Sequence, residues 1–560
     1  MKPNPKIEKT NFYNELLEFS SSNLVIDEKH LLYKEIVSKT SDEDENENIE
    51  TKIDTQAHPI ELRKLIDLID NTKTSWGNEF LLDSILNPST NLDEIQAKQD
   101  ALREISNNET LKENLSKYLN FVKETIELEN KDPNGEITGL RNGVDSFLRY
   151  TGRSNLKSLE KLICESNKNI TTSKNIKSNY LKKIIKDINN LEKSDIGKFS
   201  KGIKFKQWGR DSVYSYKELK LDVPIPFLPI PMPTGFLGIG AGIYSILSNE
   251  TIRSQDSPFF AIALLTLVVT GGIGIISTVD SLFQDKIKKR YENDLDFKKG
   301  IKSIGKLDEL LSYEQMRTDL ISKNIPVCLP TMIDSKKHQF TSKKIINLIE
   351  KTEQNISNYI PNDVNLSGIT FYTGPNSGGK TSLAKAIAQA QILAQAGGYI
   401  PTSSATISIA DKICYQVGTN DTQTDKEGGF GTQIKKTKNI FYNSSPQTLI
   451  IIDDLIDGTS FKDKTEISTD QLSGFTHIGS NLIYVSHHNE LAEIFEKQNS
   501  GSFYQIEYKN NKPTHKLIPG ICTESHANEV ASKIGFGSED IKNHLISKGY
   551  ISNNRELRNI

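Results

Sequence analysis

From Ile60 to Lys193 apolar residues recur at spacings of three and four, in IELRKLIDLID, EFLLDSIL, LDEIQAKQDALREI and LKENLSKYLNFVKETIEL. That period gathers apolar side chains on one helix face and predicts long amphipathic helices. Asn87 and Pro88 punctuate two of them. Residues 1–40 read as partly helical, and the acidic run SDEDENENIE at 41–50 reads as a solvated linker. Helical pattern returns after about Tyr291, in FKKGIKSIGKLDELLSYEQMRTDLI. From about Pro326 short apolar runs alternate with helices and glycine turns, the texture of an α/β domain.

Between the helical stretches the pattern breaks. Val223 to Asn249 carries no charge; after a short loop with Glu250, Arg253 and Asp256, Ser257 to Val279 carries none either. The second run meets the ~20 residues that a bilayer core requires. The first holds five prolines between 224 and 233, so its helical part starts only near Thr234. Lys201, Lys204, Lys206 and Arg210 precede the pair, and Lys286, Lys288, Lys289 and Arg290 follow it. Basic flanks favour the cytoplasmic side. The expectation is a transmembrane hairpin, about 223–248 and 257–282, with the lipid bilayer as a partner through 223–282. The chain is then expected at a membrane, with the rest on the cytoplasmic side. A buried apolar hairpin in a soluble or oligomeric protein fits the same pattern.

Composition narrows the picture little further. A chain of 560 residues, 25% charged and 36% hydrophobic, holds roughly two to four domains. The net charge of −3 gives no global basic footprint for nucleic acid. The four cysteines, Cys164, Cys328, Cys414 and Cys522, form no CxxC pair, so neither a disulfide framework nor a zinc site is expected. MKPNPKIEKT is followed by no apolar run, and no signal peptide is expected.

The chemistry concentrates after residue 360. GITFYTGPNSGGKTSLAKAIAQ holds Gly374, four residues, then Gly379-Lys380-Thr381, between a β-rich run and an alanine-rich helix. That is the context of a phosphate-binding loop. Backbone N–H groups turn inward around phosphates and the helix N-terminus adds partial positive charge. The candidate nucleotide-binding residues are Gly374, Pro375, Asn376, Ser377, Gly378, Gly379, Lys380, Thr381 and Ser382. Lys380 is expected on the β- and γ-phosphates, and Thr381 on Mg²⁺. The cofactors expected are ATP and Mg²⁺.

TLIIIDDLIDGTS, Thr448 to Ser460, is a buried-type strand breaking into two aspartates. Asp453 is the candidate second metal ligand, and Asp454 the candidate catalytic acid that orients or deprotonates water. Aspartate stops about 1.5 Å short of glutamate, and misplacement on that scale costs about 10²-fold in rate. Asp454 also fits a plain turn or cap residue. NLIYVSHHNEL ends a second strand at Ser486-His487, and His487 is the candidate γ-phosphate sensor.

The order of these motifs resembles the MutS family of DNA mismatch repair ATPases. Thr373 to Ser382 resembles its TGPNxGGK-S-T loop, and YIPNDV (Tyr359 to Val364) its aromatic-V-P-N-D stretch, which adds Asn362 to the candidate nucleotide site. GGYIPT, QVGTND, DDLIDGTS, VSHHNEL and PGICTESHANEVASKIG resemble the elements that follow. TKTSWGNEFLLDSILNPSTNLDEIQAKQDAL (72–102) and IGKLDELLSY (304–313) resemble the helical core. The resemblance implies an ABC-type P-loop ATPase domain at the C-terminus, preceded by an all-α core and lever, with homodimerisation through the ATPase domains. DNA is a partner by resemblance only, since the charge does not support it.

Departures are specific. The mismatch-reading and connector domains do not fit before the core, and the apolar hairpin stands where the family has its DNA clamp. Gly428 replaces the signature-loop serine, Asp454 the glutamate, and Asp457 an arginine. The expected organisation is an N-terminal segment 1–55, helical core 56–200, hairpin insert 201–299, core return 300–330, ATPase domain 331–537 and tail 538–560. Three functions are weighed: a membrane-anchored MutS-like ATPase, a soluble mismatched- or branched-DNA binder, and a nucleotide-gated membrane scaffold with little hydrolysis.

Overall fold

The computed structural model describes residues 24–26, 60–127, 161–166, 170, 176–200, 203–208, 211–216, 221–222, 294–353, 359–375, 378–417, 428–453, 461–486, 489–509, 512–522 and 534–551. Its strands in chain order are β1 (Leu24–Ile26), β2 (Ile203–Trp208), β3 (Asp211–Tyr216), β4 (Leu221–Asp222), β5 (Thr331–Ile333), β6 (Phe340–Ile345) and β7 (Asn362–Leu366). They continue with β8 (Ile369–Thr373), β9 (Ser404–Ser408), β10 (Ile413–Val417), β11 (Leu449–Asp453), β12 (Asn481–Val485), β13 (Ser502–Lys509) and β14 (Lys512–Pro519).

The chain divides into two compact units. The first comprises Met1–Asn14, Asn71–Leu81 and Asp100–Glu314. Its helices include Glu109–Glu127 and Asn179–Asn190. The spacing of Leu181, Ile184 and Ile188 buries one stripe of the latter. The 28-residue helix Leu295–Ser322 begins in this unit and buries Phe297, Ile301, Ile304, Leu307 and Leu310. Asp308 on that helix accepts hydrogen bonds from the Lys73 and Thr74 backbone N–H groups and from Thr74 Oγ1. Thr74 Oγ1 in turn accepts from Gly77 N. The first turn of the helix Ser75–Leu86 is thus capped from a residue more than 200 positions away. β2, β3 and β4 form a small antiparallel sheet.

The second unit comprises Glu15–Asp70, Leu82–Gln99 and Gln315–Ile560. A seven-stranded sheet runs in the order β1-β10-β11-β12-β8-β13-β14. It is parallel from β1 to β13, and β13 turns back into β14 as an antiparallel edge hairpin. Every residue of β8, β11 and β12 is buried, which explains their near-continuous apolar sequences. Ile369, Phe371, Ile450, Ile452, Leu482 and Tyr484 pack with Leu472, Phe475, Leu491 and Phe495 as the core of one sheet face. A second sheet, β5-β9-β6-β7, belongs to the same unit.

The expected fold of an all-α lever interrupted by a transmembrane hairpin is corrected. No helix among the described residues is long and apolar enough to cross a membrane. The described residues combine helices with three sheets, one of which, β2–β4, lies within the supposed insert. The stretches 223–248 and 257–282 lie outside the described residues. Length and apolarity drove that expectation, and both are equally demanded of a segment buried against protein.

A buried polar network ties the second unit together. His338 Nδ1 accepts from Asn481 Nδ2 at 3.1 Å, and Nε2 donates to Gln391 Oε1 at 3.2 Å. Gln391 Nε2 donates to Gln395 Oε1 and to the Ser408 carbonyl. Burial pushes the imidazole down to about 4, against Gln391 and the Asp411 charge, which pull it up. The folded-state value lies below the ordinary 6.5, so the contribution is full above pH 6.5 and is lost as pH falls through 4. A shift of that size is worth about 3 kcal/mol. Urea unfolding at pH 7 and pH 4.5 is expected to show this loss in the wild type. His338→Gln should lack this part of the pH dependence.

Candidate functional site

β8 lies inside the parallel sheet between β12 and β13, and the chain leaves its C-terminal end through Gly374 and Pro375. Gly374 has φ +125° and Gly379 φ +95°, backbone conformations that a Cβ disfavours. Gly379 caps the helix Lys380–Gln395, which is buried along most of its length. Lys380 folds back over the loop, donating from Nζ to the Gly374 carbonyl at 2.6 Å and the Pro375 carbonyl at 2.7 Å. Asn376 and Ser377 lie outside the described residues.

Thr381 and Asp453 meet. β11 runs parallel to β10 and β12 and delivers Asp453 at its C-terminal end, the edge at which open α/β sheets bind ligands. Thr381 Oγ1 donates to Asp453 Oδ1 at 3.1 Å. A hydroxyl beside a carboxylate is a hard oxygen donor pair, chemically suited to Mg²⁺. Asp454 and His487 lie outside the described residues, although Ser486, just before the latter, is buried.

Two candidates turn elsewhere. Ser382 Oγ donates to Glu350 Oε2 at 2.5 Å, and Asn347 Nδ2 donates to the Ser382 carbonyl at 3.2 Å. Asn362 spends its amide on the edge hairpin, donating to the His515 carbonyl at 3.0 Å and accepting from Leu517 N at 2.7 Å.

The structure adds residues that the motifs did not point to. His515 has φ +60°, and its Nδ1 sits 3.2 Å from the Gly378 carbonyl, against the loop. PTHKLIPG offers no motif that marks it. Tyr415 OH donates to Asp453 Oδ2 at 3.2 Å. In ICYQV this residue reads as an ordinary core tyrosine. Burial, then the Asp453 charge and hydrogen bond and the Glu61 charge, push its phenol well above the usual range. Glu61 pairs with Lys385 on the loop helix at 3.1 Å and with Lys64 at 3.0 Å.

The family model of MutS domain V matches residues 370–545, from β8 through the loop, β11 and the edge hairpin. The model of MutS domain III matches residues 35–314, half of the chain. The chain belongs to the MutS family. This MutS-family chain is 24% identical over 526 residues to the DNA mismatch repair protein MutS of Caldicellulosiruptor bescii, covering 85% of itself and 58% of that relative. The MutS protein of Methanococcoides burtonii is 22% identical over 527 residues, 84% of this chain and 56% of the relative. The DNA mismatch repair protein MSH3 of Kluyveromyces lactis is 33% identical over 199 residues, 33% of this chain and 19% of the relative. The chain thus spans just over half the length of the two MutS relatives it matches along most of its own. No helix among the described residues is long and apolar enough to cross a membrane, and the relatives matched along most of this chain are named as DNA mismatch repair proteins. The expectations of membrane localisation and of a lipid partner are therefore withdrawn.

Proposed function

We propose that this MutS-family chain binds ATP with Mg²⁺, hydrolyses it slowly, and uses the nucleotide to set the conformation of a homodimer formed through its ATPase domains. The single observation that carries the reading is the meeting of Thr381 with Asp453 beside a loop shaped by Gly374 and Gly379. Lys380 would exchange its two loop carbonyls for phosphate oxygens. Thr381 and Asp453 would hold the cation, which supplies charge neutralisation across the β- and γ-phosphates. Asp454 would orient the attacking water and His487 would sense the γ-phosphate. Mismatched or branched DNA is the candidate effector, because the relatives are named as DNA mismatch repair proteins. A nucleotide-gated scaffold with little turnover is the second reading. It is favoured by Asp454, one methylene shorter than the glutamate of the resembled motif.

ATP binding and turnover, with homoduplex or mismatched duplex at fixed salt, test both readings. The wild type is expected to bind ATP with Mg²⁺ and turn it over slowly. Asp454→Asn should keep binding and lose at least about tenfold in rate. Turnover unchanged in that variant removes Asp454 from catalysis, and no ATP binding by the wild type overturns the proposal.

A further inference from the structure

The two oxygens of Asp453 are used differently. Oδ1 faces the Thr381 hydroxyl, and Oδ2 accepts from the Tyr415 phenol. The sheet explains the second contact. β10 and β11 are parallel, with Tyr415 opposite Ile451 and Val417 opposite Asp453. Cys414, Ile450 and Ile452 pack into the core of one sheet face, so alternation puts Tyr415, Ile451 and Asp453 on the other. Asp453 lies one two-residue step of about 6.6 Å further along, a distance that a phenol lying along the strand covers. Tyr415 is 1% exposed, so water has little access to replace its hydrogen bond if it breaks.

We propose that Tyr415 is a positioning residue that reserves Oδ2 of Asp453, leaves Oδ1 alone to the cation, and thereby makes the site select Mg²⁺ over Ca²⁺. The inference rests on the nucleotide-and-Mg²⁺ reading above. Mg²⁺ holds a small octahedral shell and takes a carboxylate through one oxygen or through water. Ca²⁺ has a larger shell of 6–8 oxygens and accepts both oxygens of one carboxylate. Two donors on opposite oxygens also fix the rotation of the carboxylate plane. For Asp453 to turn both oxygens to a larger ion, the carboxylate must rotate away from, or share Oδ2 with, the Tyr415 donor, and either weakens a bond that a buried phenol cannot replace with water.

The test is equilibrium binding of a ribose-labelled fluorescent ATP analogue to the full chain, titrated separately with MgCl₂ and CaCl₂. Tyr415→Phe keeps the ring and removes only the donor. Its ratio of apparent Ca²⁺ to Mg²⁺ affinity is expected to rise about tenfold, the scale of one hydrogen bond to a charged group. Affinity for the nucleotide without cation should stay unchanged. Incorporating 3-fluorotyrosine at position 415, a stronger donor of nearly the same shape, should move the ratio the other way. If Tyr415→Phe does not fold, the fluorinated chain decides alone. A cation ratio that stays flat in the folded variants overturns the role of Tyr415. A wild type that binds no analogue with either cation overturns the nucleotide reading instead.

Discussion

Lys380→Ala is expected to weaken ATP binding by about 100-fold or more, the scale of losing charge-assisted bonds to two phosphate oxygens. The same ammonium donates to the carbonyls of Gly374 and Pro375. Those carbonyls carry only partial negative charge, so a triphosphate competes for the lysine on favourable terms. The variant loses both the phosphate contacts and the tie across the loop. Calorimetric titration with ATP and Mg²⁺ measures the affinity, and a thermal melt in parallel reports whether the fold persists. Affinity within a few-fold of the wild type would remove Lys380 from the site.

Asp308→Ala is expected to cost about 3–5 kcal/mol, the penalty for leaving buried polar partners without their acceptor. Three donors converge on this carboxylate, two of them backbone N–H groups at the start of the helix Ser75–Leu86. Nothing else can fill the gap cheaply, because Asp308 is 1% exposed. Gly77 belongs to the same arrangement: a Cβ there would come within 2.2 Å of Asp308 Oδ2. Burial pushes the Asp308 carboxyl up to about 6, against the donors and the Lys73 charge, which pull it down. Its folded-state value lies above the ordinary 3.8. The proton-linked part of its stabilisation is therefore full below pH 3.8 and is lost as pH rises through about 6. The urea midpoint of the variant at pH 7 gives the cost directly. Asp308→Asn, which keeps one acceptor oxygen, is expected to recover part of it.

The parts of the site readable from the sequence are those that use local chemistry. A phosphate loop needs glycines at set intervals and a lysine at the helix start, and Gly374 and Gly379 take up the positive φ that this implies. Parallel strands buried on both faces must be apolar throughout, so LIIID and NLIYV announce themselves. What joins Tyr415 to Asp453, or His515 to Gly378, is the order of strands in a sheet, which no spacing along the chain encodes. Asn362 and Ser382 sat in the expected motif, yet their side chains turn to the edge hairpin and to Glu350, partners chosen by packing. The apolar run after Val223 led to a membrane expectation because composition alone does not separate a lipid interior from a protein interior.

The position of β8 has a consequence for the nascent chain. Its two neighbours in the sheet are β12 and β13, and both are translated after it. While the ribosome adds the residues from Gly374 to Ser480, the strand that launches the loop has no finished partner on either side. The loop, the lysine and the strand bearing Asp453 all leave the exit tunnel before the framework that aligns them exists. Alignment of the loop with Asp453 is thus a late event of synthesis, possible only once Asn481–Val485 has emerged to join β8 to β11. A chain interrupted before that point would carry Gly374 to Ser382 and Asp453 without the strand that stands between β8 and β11.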